Sequence, residues 1–176
     1  VPLNIQTNAN FINGIIAASS TNPLIFNNGS TVSNASANSY VNGFVHKIGN
    51  QAFEFPLGAN NLYYPLTISA PLNSSDEFVA EFIPINSDPI YTHLNKEITL
   101  DHISICNYWT LNQISGANNL DVSLSFNNPD CEVDNTSELI VTRWNTSDSE
   151  WKNEGNKNVV PESAPSPGEI IANNTQ

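Results

Sequence analysis

The chain has 176 residues, of which only 12% are charged, and its 17 acidic and five basic side chains give a formal net charge of −12. This length suits one domain with a hydrophobic core and excludes a large two-domain enzyme. The negative charge repels phosphate groups and anionic lipids, and no apolar run reaches the ~18 residues needed to span a bilayer. We therefore expect no nucleic-acid partner, no membrane insertion, and an export signal that has already been removed.

Neutral amides and hydroxyls carry most of the polarity. Asn accounts for 29 of the 176 residues, and Met is absent. Asn, Ser and Thr compete with helix formation because their side chains bond to the nearby backbone. The composition predicts an all-β protein whose strands are joined by turns.

The N-terminal segment, residues 1–48, contains apolar groups too short for ordinary hairpins. Val1, Leu3 and Ile5 alternate with polar residues, and Pro2 favours an edge or a strand start. Short apolar bursts then follow between polar turns. Because such strands cannot bury themselves alone, we predict that this segment forms a short β-helix or β-roll stacked on the rest of the chain.

Longer apolar runs begin at Tyr40, and their regular spacing is typical of an antiparallel β-sandwich, which we assign to residues 49–156. In residues 119–126 the side chains alternate cleanly, whereas residues 101–111 change phase near Asn107, where we expect a bend. Residues 157–176 resemble a linker or tail, in which only residues 169–172 could add a strand. The predicted strands cover residues 40–48, 51–55, 62–69, 77–84, 101–111, 119–126 and 138–144.

The sequence contains two cysteines, Cys106 and Cys131. An even number of cysteines in a chain of this composition favours one disulfide, although two free thiols remain an alternative. A zinc site is not expected, because the sequence contains no CxxC pair.

Several phrases of this sequence occur together in one order. The chain resembles a module that recurs in large secreted and surface proteins of Bacteroidota exported by the type IX secretion system. The phrases that carry the resemblance are SNAS at 33–36, SYVNG at 39–43, HKIGN at 46–50, FPLG at 55–58, YPLTI at 64–68, DHISICNYWTL at 101–111, RW at 143–144 and WK at 151–152.

The resemblance implies an extracellular location on the bacterial cell surface and β-helical repeats that precede a β-sandwich. It also implies a stalk, adhesin or filament subunit, either as part of a giant protein or as a processed subunit. Modules of this kind often carry both cysteines, which supports the Cys106–Cys131 bridge. Neither a repeat array nor a sorting domain is present in the sequence.

Candidate catalytic groups are few. His46, His93 and His102 are scattered, with no spacing that indicates a triad. Glu54 and Glu81 lie on predicted strands and would form a glycosidase pair only if the fold brought them together. An enzyme is therefore the third hypothesis for this chain, and no catalytic residue is assigned.

Aromatic residues offer a candidate glycan platform. Trp109 and Trp144 lie in apolar strands and are expected in the core. Tyr63, Tyr64 and Trp151 are the platform candidates. If their rings are exposed and coplanar, the chain is a carbohydrate-binding module of a secreted hydrolase, which is the alternative to a structural or adhesive module.

Two further candidate sites involve calcium and assembly. Calcium prefers oxygen ligands, and Asp130, Asp134, Asp148 and Glu150 lie in loops that could supply them. These loops match neither an EF-hand nor a nonapeptide calcium repeat, so a plain solvated loop is the alternative, and no other cofactor is expected. The alternating residues Val1, Leu3 and Ile5 predict a strand that packs against or inserts into a neighbouring copy. The expected partners are thus neighbouring modules, copies of the chain itself, and surface glycans.

Overall fold

The computed structural model describes residues 1–127, 133, 135–163 and 166–172. Within these residues the protein is all-β, as predicted, with one short 3-10 turn at Thr136–Glu138. The strands are β1 (Leu3–Ile5), β2 (Asn8–Asn10), β3 (Ile16–Ala17), β4 (Leu24–Phe26), β5 (Thr31–Ser33), β6 (Val41–Asn42), β7 (Val45–Ile48), β8 (Phe53–Phe55), β9 (Gly58–Ala59), β10 (Leu62–Tyr63), β11 (Leu66–Ile68), β12 (Glu77–Ile83), β13 (Tyr108–Ser115), β14 (Val122–Phe126), β15 (Thr142–Asn145), β16 (Glu150–Asn153), β17 (Asn158–Val160) and β18 (Gly168–Ile171).

The N-terminal segment forms two stacked coils, which confirms the β-helix-like prediction. Coil 1 consists of β1, β2 and β3, and coil 2 consists of β4, β5 and β6. Each strand of coil 1 pairs in parallel with its counterpart in coil 2. β4 then pairs in parallel with β7, so that Leu3, Leu24 and Val45 stand in register across three successive strands.

The coils do not form a separate domain, because their first strands belong to the sandwich. One sheet has the order β1-β4-β7-β12-β13, and its last two strands run antiparallel to their neighbours. This sheet crosses the expected boundary at residue 48. The other large sheet is antiparallel, with the order β17-β18-β14-β11-β8.

The main core lies between these two sheets. It includes Phe26 and Phe78 from the first sheet and Phe53, Phe55 and Leu66 from the second. The rings of Phe26 and Phe53 are in direct contact, with centroids 5.0 Å apart. A smaller cluster around Phe126 and Ile170 continues this core under the far end of the second sheet.

A buried lysine joins coil 2 to the sandwich. Lys47 points inward from β7, and its Nζ donates to the carbonyl oxygens of Asn27 and Ser30, each at 3.1 Å. The ammonium also lies 4.9 Å from the centre of the Phe53 ring. Burial lowers the pKa of Lys47, since it penalises the charged form.

Two predictions about the chain differ from the structure. Residues 101–107 are not a strand, and β13 begins at Tyr108. The expected linker at 157–176 contains β17 and β18, and β18 pairs with β14 within the second sheet. β18 joins because Ile170 fills the small core cluster, which a polar linker would leave open.

Candidate functional site

The three platform candidates are all buried, so the predicted glycan platform is wrong. Tyr63, Tyr64 and Trp151 are at most 8% exposed. The hydroxyl of Tyr63 donates to Glu54 at 2.5 Å, and burial together with this carboxylate raises the pKa of Tyr63 strongly. Tyr64 stacks on Phe82 with ring centroids 4.3 Å apart. The faces of these rings are used inside the protein and cannot stack on sugars.

Trp151 belongs to a second aromatic cluster, which we call the aromatic base and define as Tyr91, Tyr108, Trp144 and Trp151. Neighbouring rings in this cluster lie 5.6–6.3 Å apart and are inclined by 50–83°. Such tilted and edge-to-face contacts are typical of packed cores. The half-exposed rings of Tyr91 and Trp144 are therefore not coplanar with their neighbours, as a flat sugar platform would require.

The aromatic base supports a long connection between β12 and β13, the 84–107 loop. The loop is fastened to β16 by backbone hydrogen bonds, because Trp151 donates to the Asn95 carbonyl at 2.9 Å and Glu97 donates to the Trp151 carbonyl at 3.0 Å. The Glu97 carboxylate also accepts from the backbone of Asn153 at 3.0 Å. Leu100 and Ile103 are buried beside Trp151.

Other apolar side chains of this loop face solvent. Five aliphatic residues are between 54% and 101% exposed, namely Ile85, Ile90, Leu94, Ile98 and Ile105. The loop thus has two kinds of apolar residue. Tyr91, Leu100 and Ile103 pack inward and anchor it, whereas the five aliphatic residues are exposed to solvent. No sequence pattern singled out this segment, since alternating burial in an irregular loop leaves no strand or helix period.

Each histidine is paired with a carboxylate, a feature that was not predicted from the sequence. The Nδ1 atoms of His46, His93 and His102 lie 2.8, 2.5 and 3.0 Å from Glu77, Asp88 and Asp101. Hydrogen bonds from the His93 backbone and ring lower the pKa of Asp88, and the His102 ring lowers the pKa of Asp101. No hydroxyl or thiol bonds to these rings within the described residues, so the pairs orient imidazoles without completing a triad.

The two candidate glycosidase carboxylates cannot act on one bond. Glu54 alternates with the inward residues Phe53 and Phe55 of β8, and Glu81 lies between the inward residues Ala80 and Phe82 of β12. They therefore lie on opposite outer faces of the sandwich, whose sheets are about 10 Å apart before side chains are added. Burial raises the pKa of Glu81, without a second carboxylate as its cause.

The remaining metal and disulfide candidates are only partly described. Asp148 and Glu150 both form ion pairs with Lys152, at 3.1 and 2.7 Å, whereas Asp130 and Asp134 lie outside the described residues. Across the part of the chain that the structure describes, no group of three or more ligating side chains could hold a metal ion. Cys106 is half-buried, and Cys131 lies outside the described residues, so the bridge stays a prediction.

The predicted assembly strand is the first rung of the coils. β1 pairs with β4, and Ile5 packs against the main core, whereas Val1 and Leu3 are exposed. The amino group of Val1 donates to the side chain of Asn22. The strand is thus paired within its own chain, and the contact with a neighbouring copy, by packing or by insertion, stays a prediction.

In comparisons with known proteins, no family model, no curated protein and no solved structure matches this chain. The described residues contain no helix that is long and apolar enough to cross a membrane. The resemblance to surface modules of Bacteroidota thus stays a prediction from the sequence phrases.

Proposed function

We propose that this protein is a non-catalytic structural and adhesive module of a bacterial cell-surface protein, and that the 84–107 loop is its contact surface. The observation that carries the proposal is the display of five aliphatic side chains on a loop that is fixed at the aromatic base, where its rings pack against buried Trp151. Single exposed aliphatic residues are ordinary, whereas five on one connection favour an interaction surface.

The charge of the chain limits what this loop contacts. A net charge of −12 opposes approach to phosphates and anionic headgroups, and this repulsion extends over about 10 Å at moderate salt. Burial of aliphatic groups needs no opposite charge. The contact therefore suits an uncharged, apolar region of another surface, and its strength increases when salt screens the repulsion.

The coils support the structural half of the proposal. Parallel coils repeat the same backbone ladder and the same inward side chains at each turn, and this architecture suits extended stalks. Here the ladder continues from coil 1 through coil 2 into β7, so a force on the coils is transmitted to the sandwich through hydrogen-bonded strands.

Adhesion can be tested with beads coated with the full chain and washed under flow over hydrophobic and hydrophilic glass. We expect retention on the hydrophobic surface and a severalfold loss in the Leu94→Ser variant. Leu72→Ser is the matched control, because Leu72 is 77% exposed on another loop and Leu94 is 74% exposed. Equal retention of both variants and the parent would remove the loop from the proposal.

The cell-surface location needs its own measurement. Protease treatment of intact cells of the bacterium that encodes the chain should release peptides of this protein, while cytoplasmic marker proteins stay intact. Protection of the protein until the cells are lysed would contradict the location.

A glycan array separates the proposal from its carbohydrate-binding alternative. We expect no binding to plant, algal or host polysaccharides, because the candidate rings are buried. Saturable binding to one polysaccharide would favour the alternative and direct attention to half-exposed rings such as Trp144.

A further inference from the structure

The mixed sheet ends at β13, and the outer edge of this strand has no strand partner among the described residues. An unpaired edge is a template for another chain, and most proteins blunt such edges with short strands, charges or proline. The other three edges of the two large sheets carry these features. β1 is short and follows Pro2, β8 carries Glu54, and β17 is short and precedes Pro161.

β13 lacks these protective features along most of its length. It is eight residues long, contains neither a charged residue nor proline, and is exposed from Asn112 to its end. The only irregularity is a shift in its pairing with β12 opposite Glu77 and Phe78, near the C-terminal end of β13. The segment from Tyr108 to Gln113 pairs regularly with β12, so its outer edge presents a continuous row of backbone groups.

We propose that β13 is a self-association strand, through which two copies of this chain pair antiparallel about a two-fold axis. An antiparallel pair of identical strands is self-complementary, since each donor of one copy meets the equivalent acceptor of the other. The pairing joins two five-stranded sheets into one sheet of ten strands. It is independent of the 84–107 loop contact proposed above.

The distribution of charge makes this edge the one at which a second copy meets the least repulsion. Two chains with a charge of −12 repel each other, and like charges directly opposite in a sheet are destabilising. β13 carries no charged residue, and the carboxylates of the adjacent strand, Glu77 and Glu81, lie one strand further in on β12. In the pair, β12 of each copy is three strand spacings from the other, about 14 Å, which is beyond the Debye length at moderate salt.

Sedimentation of the full chain over about a hundredfold range of concentration tests the proposal by mass action. We expect a reversible dimer. Asn112→Lys places two positive charges near the two-fold axis at the middle of β13, and we expect it to weaken dimerisation about fivefold or more. Asn158→Lys is the matched control, because it makes the same change on the exposed edge strand β17 and should leave the dimer unchanged.

Hydrogen exchange of the wild-type protein gives a second measurement that needs no substitution. Amides on the outer edge of β13 should exchange more slowly as the concentration rises, while those of β17 should not change. A monomer at every concentration, equal weakening by both lysine variants, or open-ended larger species would overturn two-fold pairing through β13.

Discussion

The stacked coils and the 84–107 loop both consist of short segments without long hairpins, yet they are held in different ways. In the coils, backbone ladders run from rung to rung, and inward residues such as Leu24 and Val41 reach the main core. In the loop, a few hydrogen bonds to β16 and the contacts of the aromatic base replace a ladder. The coils therefore depend on repeated backbone geometry, and the loop depends on particular side chains.

This difference predicts how the stability of each region responds to the loss of one contact. Loss of one contact in the coils should lower the stability of the whole domain, because their first strands, β1 and β4, are part of the sandwich sheet. Loss of one contact in the loop should open the loop locally, since regions with few backbone pairs open below the global free energy of unfolding.

The largest effect is expected at Gly43, which directly follows β6 and lies against the backbone of Ala18, the residue after β3. A Cβ at this position would clash with the carbonyl oxygen of Ala18, and the positive φ of 118° disfavours any other residue. We expect Gly43→Ala to lower the free energy of unfolding by about 4 kcal/mol, measured by urea denaturation.

Gly29→Ala is the control for this prediction. Gly29 also has a positive φ, of 80°, but the space around it is open. We expect a loss of about 1 kcal/mol there, from backbone strain alone. Equal losses in the two variants would show that the coils do not approach each other as closely as described.

The next effect concerns the buried ammonium of Lys47. Lys47→Met keeps the side-chain volume but removes both hydrogen bonds to the turn at Asn27 and Ser30. Since hydrogen bonds from charged groups contribute more than neutral ones and two carbonyls are left unpaired, we expect a loss of about 3 kcal/mol in the free energy of unfolding. Lys157→Met removes only an exposed ion pair with Asp121 and should cost about 0.5 kcal/mol. A loss of only about 0.5 kcal/mol in Lys47→Met would contradict the conclusion that Lys47 holds coil 2 to the sandwich.

Sequence patterns found the coils because their signal is local. Short apolar bursts between Asn-rich turns predict rungs whatever they stack on. The alternation from Leu120 to Phe126 likewise located β14, but Ser123 and Ser125, expected to face outward, are buried. The prediction of residues 101–107 as a strand was wrong because Ile103 is buried against the aromatic base, and not in a ladder. Alternation alone cannot distinguish these two kinds of burial.

The candidate sites were harder to predict, because they depend on contacts between distant segments. Trp151 lies among polar neighbours in the sequence, and its burial depends on Tyr91, which belongs to a distant part of the chain. Tyr63 is internal because Glu54 accepts its hydroxyl hydrogen. No sequence pattern places Lys47 in the core either, since its partners are backbone carbonyls and these have no sequence signature.

A smaller and local effect is expected at the aromatic base. The Tyr91 ring contacts Tyr108, Trp144 and Trp151, so Tyr91→Ala should destabilise the loop by about 2 kcal/mol. Hydrogen exchange should show lost protection at the Glu97 and Trp151 amides and no change at the Ile16 amide of the coils. Tyr91→Phe keeps the ring and should behave like the parent, and equal deprotection of the coils would refute the separation of the two regions.

The smallest effect follows from the Asp88–His93 pair within the loop. Hydrogen bonds from the His93 backbone and ring hold the pKa of Asp88 below its ordinary value in the folded protein. A carboxyl with a depressed folded pKa stabilises the fold above its unfolded pKa of about 3.9, and this contribution is lost as the pH falls through the folded value. The loop should therefore loosen on acidification below about pH 4 while the coils keep their ladders. Two of the three tryptophans, Trp144 and Trp151, belong to the aromatic base, so tryptophan fluorescence should change before the far-ultraviolet circular dichroism. Asp88→Asn cannot titrate at this position, so its fluorescence should depend less on pH in the same range. Simultaneous fluorescence and dichroism changes in the parent protein, unaltered in Asp88→Asn, would mean that acid unfolds the loop and the coils as one unit.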